Sequence, residues 1–202
     1  MIKTIIFDFG DVFINLDKPA TLKELYKLGN NRPVREIQEL NKRYEVGALT
    51  TKEFISDLKI YFPTASDEQL TQAWNAILLD FPKHRLEFIC NLAATQKYKL
   101  LLFSNTNELH INWIKKHVDF FNEFKSCFDS FYLSHEVKLR KPNTAVFEFI
   151  LHQHQLIAEE TLFIDDTKEN TDAAAALGIH TWNNNPITED VTNLFTTKSS
   201  IF

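Results

Sequence analysis

The stretch Ile5–Phe13, IIFDFGDVF, decides how the rest of the chain is read. Taken with the residues before it, positions 2–8 (IKTIIFD) are apolar and β-branched with no polar alternation. That pattern suits a strand buried on both faces of a parallel sheet. The run ends on Asp8, and Asp11 follows three positions later. A carboxylate at the end of a buried strand is costly unless something pairs with it. The partners must come from elsewhere in the chain.

The same buried-strand pattern returns at 99–105 (KLLLFSN), 130–134 (SFYLS), 161–166 (TLFIDD) and, more weakly, 179–183 (IHTWN). Between them lie helical spacings. Residues 143–156 place Val146, Phe149, Ile150 and Leu156 on one face, and 168–177 run into Gly178, a suitable helix stop. Strands alternating with helices predict an α/β fold, a doubly wound, mostly parallel, Rossmann-like sheet with functional groups at the carboxyl ends of its strands. From Asn15 to Arg85 no strand pattern occurs, only helical periodicity broken at Pro33, Gly47, Pro63 and Pro82. The expected division is therefore a core of residues 1–14 and 86–202, with residues 15–85 as a helical cap inserted after the first strand. The polar tail TNLFTTKSSIF at 192–202 is expected to fray.

Composition narrows the function classes. The 202 residues are 44% hydrophobic, enough for a sizeable core, and the net charge of -5 gives no general reason to bind nucleic acid or an anionic membrane. No apolar run is long enough to span a bilayer, and MIKTIIFDFG does not read as a signal peptide, so a cytoplasmic protein is expected. Cys90 and Cys127 are expected as free thiols. With 18 Phe and only four Gly, the core should be aromatic.

The strand ends carry the chemistry: Asp8 on the first, Ser104 and Asn105 on the second, the basic segment KLRKP at 138–142 after the third, and Asp165-Asp166 on the fourth. Crowded carboxylates call for a cation, and all-oxygen donors favour Mg²⁺ over zinc. Magnesium in turn points to a phosphate ligand.

Four segments in order, FDFGDVF (7–13), LFSNTN (102–107), RKPN (140–143) and FIDDTKEN (163–170), resemble the four motifs of the haloacid dehalogenase-like hydrolases. The likeness is to their phosphatase branch with a helical cap, and within it to a bacterial type acting on α-glucose 1-phosphate. The resemblance implies Asp8 as nucleophile, forming an aspartyl-phosphate. It implies Mg²⁺ held by Asp8, the Gly10 carbonyl and Asp166, with Asp165 helping. Ser104 and the Asn105 backbone N–H would bind phosphoryl oxygens, and Lys141 would neutralise charge. Asn170 would orient the acidic loop. The family's usual second acid falls at Gly10, which has no side chain to act as general acid or base; Asp11 is one position too late.

Plainer readings stand beside these. Asp11 reads as a loop or capping acid, Lys138 and Arg140 as surface charges or contacts at the substrate's edge, and 104–107 as a turn with a helix N-cap. His152 and His154 are two apart and do not share a helix face, so they read as solvent-facing. His135 reads as an ordinary loop histidine. Trp74, Tyr44 and Phe54 read as packing between helices before pocket lining. The expected partner is a small phosphorylated molecule; protein partners are not indicated. Two other functions remain open: a phospho-ligand or protein-binding module without turnover, and a 2-haloacid dehalogenase, which would have no use for Asp165-Asp166.

Overall fold

A computed structural model describes residues 1–29 and 31–202. Five strands, β1 (Thr4–Phe7), β2 (Lys99–Ser104), β3 (Ser130–Leu133), β4 (Thr161–Asp165) and β5 (His180–Asn183), pair in the order β3-β2-β1-β4-β5. All four pairings are parallel. Each strand falls where buried apolar residues recur in the sequence, and β1 lies in the middle.

Burial on both faces explains the lack of alternation. Ile5 and Phe7, Leu100 and Leu102, and Leu162 and Ile164 face one apolar cluster. Ile6, Leu101, Phe103 and Phe163 face the other. The first face is covered by α5 (Lys83–Ala94), α6 (Glu108–His117) and α7 (Phe121–Ser126), through Ile89, Ile114 and Phe124. It is dense in phenylalanine: Phe124 lies 4.9 Å from Phe13, 4.8 Å from Phe81 and 5.0 Å from Phe128, ring centre to ring centre. The edge-on geometry at these contacts is what aromatic quadrupoles prefer. Beyond β3 and the short α8 (Ser134–Val137), the second face is covered by α9 (Ala145–His154) and α10 (Lys168–Ala175). On α9, Phe147 is fully buried with Val146 and Ile150, while Phe149 only borders the cluster. Gly178 has a φ of +83°, the left-handed conformation that ends this helical segment without a Cβ clash.

Between β1 and α5 run α1 (Ala20–Leu25), α2 (Val34–Glu45), α3 (Thr51–Tyr61) and α4 (Asp67–Asn75), packed around their own cluster, which includes Leu25, Leu40, Phe54, Leu58 and Leu70. Thr50 and Ser66 cap α3 and α4, each in a reciprocal box with the residue three positions on. The chain enters and leaves this helical segment side by side. Asn15 N–H donates to Asp80 O at 2.9 Å, Leu79 N–H to Asn15 O at 3.0 Å and Asp17 N–H to Ile77 O at 2.8 Å. Arg85, buried at the start of α5, clasps the crossing by donating to Asp190 at 2.9 Å, the Asn15 side chain at 2.9 Å and Phe13 O at 3.3 Å.

Three expectations need correcting. The C-terminal tail is helical and anchored by fully buried Val191 and Leu194, with Phe202 packed near Tyr98. His154 is half-buried rather than free in solvent: its ring nitrogen bonds the Tyr132 hydroxyl at 2.8 Å. Arg140 is no free surface charge, since it donates to Glu45 of α2 at 2.9 Å. The thiols of Cys90 and Cys127 lie 2.7 Å apart between α5 and the end of α7. Among the described residues, no helix is long and apolar enough to cross a membrane.

Candidate active site

The carboxyl ends of β1, β2 and β4 meet beneath α1, α2 and α4, and the strand-end residues meet with them. A cavity of about 360 Å³ lies there, lined by Asp8, Ser104, Asn105, Lys141 and Asp166 among others. Oxygens of Asp8, Asp165 and Asp166 all lie within 4.8 Å of one another.

Lys141 is the hub. It is fully buried, and its ammonium contacts Asp8 at 2.8 Å, Asp165 at 2.6 Å and the Phe103 carbonyl at 3.0 Å. Three N–H donors thus meet three acceptors, which is what makes a buried ammonium tolerable. Burial opposes its charge, yet Asp165 and Asp8 hold its pKa above the usual lysine value. Asn105 fixes the loop that carries it: the side-chain amide donates to Lys141 O and accepts from Lys141 N–H, both at 2.9 Å.

The two adjacent acids differ. Asp165 is fully buried and accepts from Lys141, from Thr167 N–H at 2.8 Å and from the Asn170 amide at 3.0 Å to each oxygen. Asp166 is engaged by the Lys18 ammonium at 2.5 Å. Lys18, exposed on its outer side, also reaches Asp11 at 3.1 Å. Asp8 is raised to about 7 by burial, with Lys141 opposing and Asp165 and Asp166 adding to the rise. The clustered carboxylates and their surplus of negative charge fit a hard divalent cation such as Mg²⁺.

The loop after β1 holds Gly10 and Asp11 in different surroundings. Asp11 has a φ of 54°, and its carboxylate accepts from Leu16 N–H at 3.0 Å, so it ties the loop. A Cβ on Gly10 would come within 2.8 Å of the Leu16 side chain. A side chain at this position would require the end of Leu16 to move aside.

Residues 2–178 match the haloacid dehalogenase-like hydrolase family. The chain belongs to that family. A haloacid dehalogenase-like enzyme of Bacteroides thetaiotaomicron, in a structure with magnesium and inorganic phosphate, is 32% identical with a TM-score of 0.85, covering 96% of this chain and 100% of that one. A predicted family hydrolase of Porphyromonas gingivalis is 27% identical with a TM-score of 0.81, covering 100% of this chain and 98% of that one. The D-ribitol-5-phosphate phosphatase of B. thetaiotaomicron is 29% identical over 90% of this chain and 91% of its own length. None of these relatives carries the narrower likeness to α-glucose 1-phosphate phosphatases.

For a member of this family, the polar residues from the helical segment are what the motifs leave out. Lys18, Asn41 and Glu45 line the cavity from above, with Trp74 and, from α6, His110. The sequence signals only Trp74, as an aromatic on a helix face, and the structure makes it both packing and lining: it meets Phe54 edge-on at 4.6 Å. Tyr44 and Phe54 stack at 4.2 Å as packing residues. His135, half-buried beside Gly47, does not line the cavity.

Proposed function

We propose that the protein is a Mg²⁺-dependent phosphomonoester hydrolase for a small, hydroxylated phosphate, working through an aspartyl-phosphate on Asp8. The observation that carries this reading is the contact of Lys141 with Asp8 and Asp165, beside Asp166 and Ser104, at the foot of one cavity. The phosphatase and Mg²⁺–phosphate relatives support it. Residues 15–85 serve as a cap over the core of residues 1–14 and 86–202.

Asp8 attacks phosphorus; the new P–O bond forms as the ester P–O bond breaks, and the departing oxygen takes its proton from water. Lys141 keeps Asp8 oriented and offsets charge gathering on the phosphoryl oxygens, which Ser104 and the Asn105 backbone N–H also bind. A second water then releases phosphate and restores Asp8. Asp8, Asp166 and the Gly10 carbonyl would hold Mg²⁺, which when bound would supply positive charge beside the transferring group. Asp165, saturated by Lys141, Asn170 and Thr167, acts mainly by fixing Lys141.

Because Gly10 provides no general acid, the leaving group matters. Loss of such a group costs roughly 10²–10⁴-fold. Among substrates without other hydroxyls, aryl phosphates should turn over faster than alkyl phosphates; equal rates with chemistry limiting would refute this. The direct test is p-nitrophenyl phosphate hydrolysis with Mg²⁺ or EDTA, comparing wild type with Asp8→Asn. Activity is expected only in the wild type with metal. Turnover indifferent to EDTA would remove Asp166 from a metal role, and turnover in neither condition would favour a phospho-ligand-binding module.

A further inference from the structure

Cys90 and Cys127 are 37 positions apart in the chain, yet their sulfurs lie 2.7 Å from one another where α5 passes the end of α7. The backbone on both sides is held in place. Ile89, beside Cys90, is fully buried on the sheet's first face, and so is Phe124, one helical turn before Cys127. The Cys127 thiol also donates to the Glu123 carbonyl at 3.4 Å. A disulfide needs its sulfurs at about 2.05 Å, so closing the bond asks for less than about 1 Å of movement.

Other uses of paired thiols fit less well. A metal site would need further ligands, and among the described residues no third histidine, cysteine or carboxylate joins the two sulfurs. A nucleophilic or peroxide-sensing thiol has a low pKa, whereas burial, with Cys90 beside it, pushes the Cys127 thiol up to about 12. Neither sulfur lines the catalytic cavity. Both cysteines are half-buried, and a separate cavity of about 530 Å³, lined by Cys127, Lys97, Lys99 and Asp129 among others, admits a small molecule to the pair.

We infer that Cys90 and Cys127 are a modification site, a dithiol that closes reversibly to an intramolecular disulfide by exchange with a small-molecule disulfide such as oxidised glutathione. One protein thiolate attacks a sulfur of the oxidant, whose S–S bond breaks and expels one small thiolate. The other protein thiolate then attacks the protein sulfur of that mixed disulfide and expels the second. The protein pair gives up two electrons and two protons, and the oxidant leaves as two thiols. The bond ties α5 to α7 and closes a loop around β2 and α6 that persists in the unfolded chain, so the bridged form is the more stable one.

The test incubates reduced wild type with oxidised glutathione at roughly pH 8.5, where thiolate is more plentiful, and reads intact mass and peptide maps without reductant. Wild type should lose two hydrogens, retain no glutathione and yield a peptide linked through Cys90 and Cys127. Excess reduced glutathione should restore both thiols. Calorimetry should place the Tm of the bridged form roughly 5–10 °C above that of the reduced form. Cys90→Ala and Cys127→Ser, each with one sulfur left, should form no internal bridge and show no such rise. Four results would each overturn the assignment: thiols that stay free while the urea-unfolded chain is oxidised, glutathione retained on wild type, a bridge between two chains, or a bridged form no more stable than the reduced one.

Discussion

His110 shows how a single side chain joins the upper and lower walls of the site. Its Nδ1 lies 3.2 Å from the Asn107 amide and its Nε2 3.3 Å from Trp74 O, so the neutral ring donates upward and accepts from below. Burial lowers its pKa to about 4, from the ordinary 6.5. Between those values the unfolded chain holds a proton that the folded chain refuses, so stability rises with pH across the window and is complete above it. Thermal melts from pH 4 to 8 should show wild type losing more stability on acidification than His110→Gln, which titrates in neither state. Parallel pH curves would count against this role. The legibility of residues divides along the same line between walls. Asp8, Lys141 and Asp166 stand out in the sequence because strands deliver them to one edge in a fixed order. Lys18, Asn41 and His110 carry no such spacing. Their place depends on how helices lie over the sheet, which periodicity does not encode.

At the level of elements, β1, β2 and β4 are readable because burial on both faces leaves an unbroken apolar run, whereas the edge strands β3 and β5 are less buried and β5 carries the weaker signal. The helices between residues 15 and 85 are readable as helices, but their orientation is not. The crossing between the two parts is also hidden, because its backbone pairs join positions 15–17 with 77–80. Arg85 is its clasp, and its guanidinium is buried with Asp190, Asn15 and Phe13 as acceptors. Hydrogen bonds involving a charged group contribute about 1.5–3 kcal/mol each, and losing one partner leaves the other unmet. Arg85→Met should therefore lower unfolding free energy by about 2 kcal/mol or more in urea titrations. A loss below about 0.5 kcal/mol would mean that the paired backbone holds the crossing unaided.

Over the whole molecule, a site built on buried like charges makes folding sensitive to what binds there. If Mg²⁺ seats among Asp8, Asp166 and the Gly10 carbonyl, it binds the folded chain and not the unfolded one. At a concentration 100 times its Kd it adds about 2.7 kcal/mol, which moves the Tm of a chain this size by roughly 5–10 °C. Calorimetry with and without Mg²⁺ should show that rise in wild type and a much smaller one in Asp166→Asn. Equal responses would place the ion elsewhere. The side-by-side crossing has a broader consequence. Because the helical segment departs from and rejoins the sheet at neighbouring points, the sheet does not depend on its length to close. The segment resembles a cassette: a different helical insert with adjacent ends could sit on the same junction, leaving Asp8, Lys141 and the acidic pair undisturbed. Descent within such a fold can therefore change which molecule is chosen while inheriting the chemistry intact.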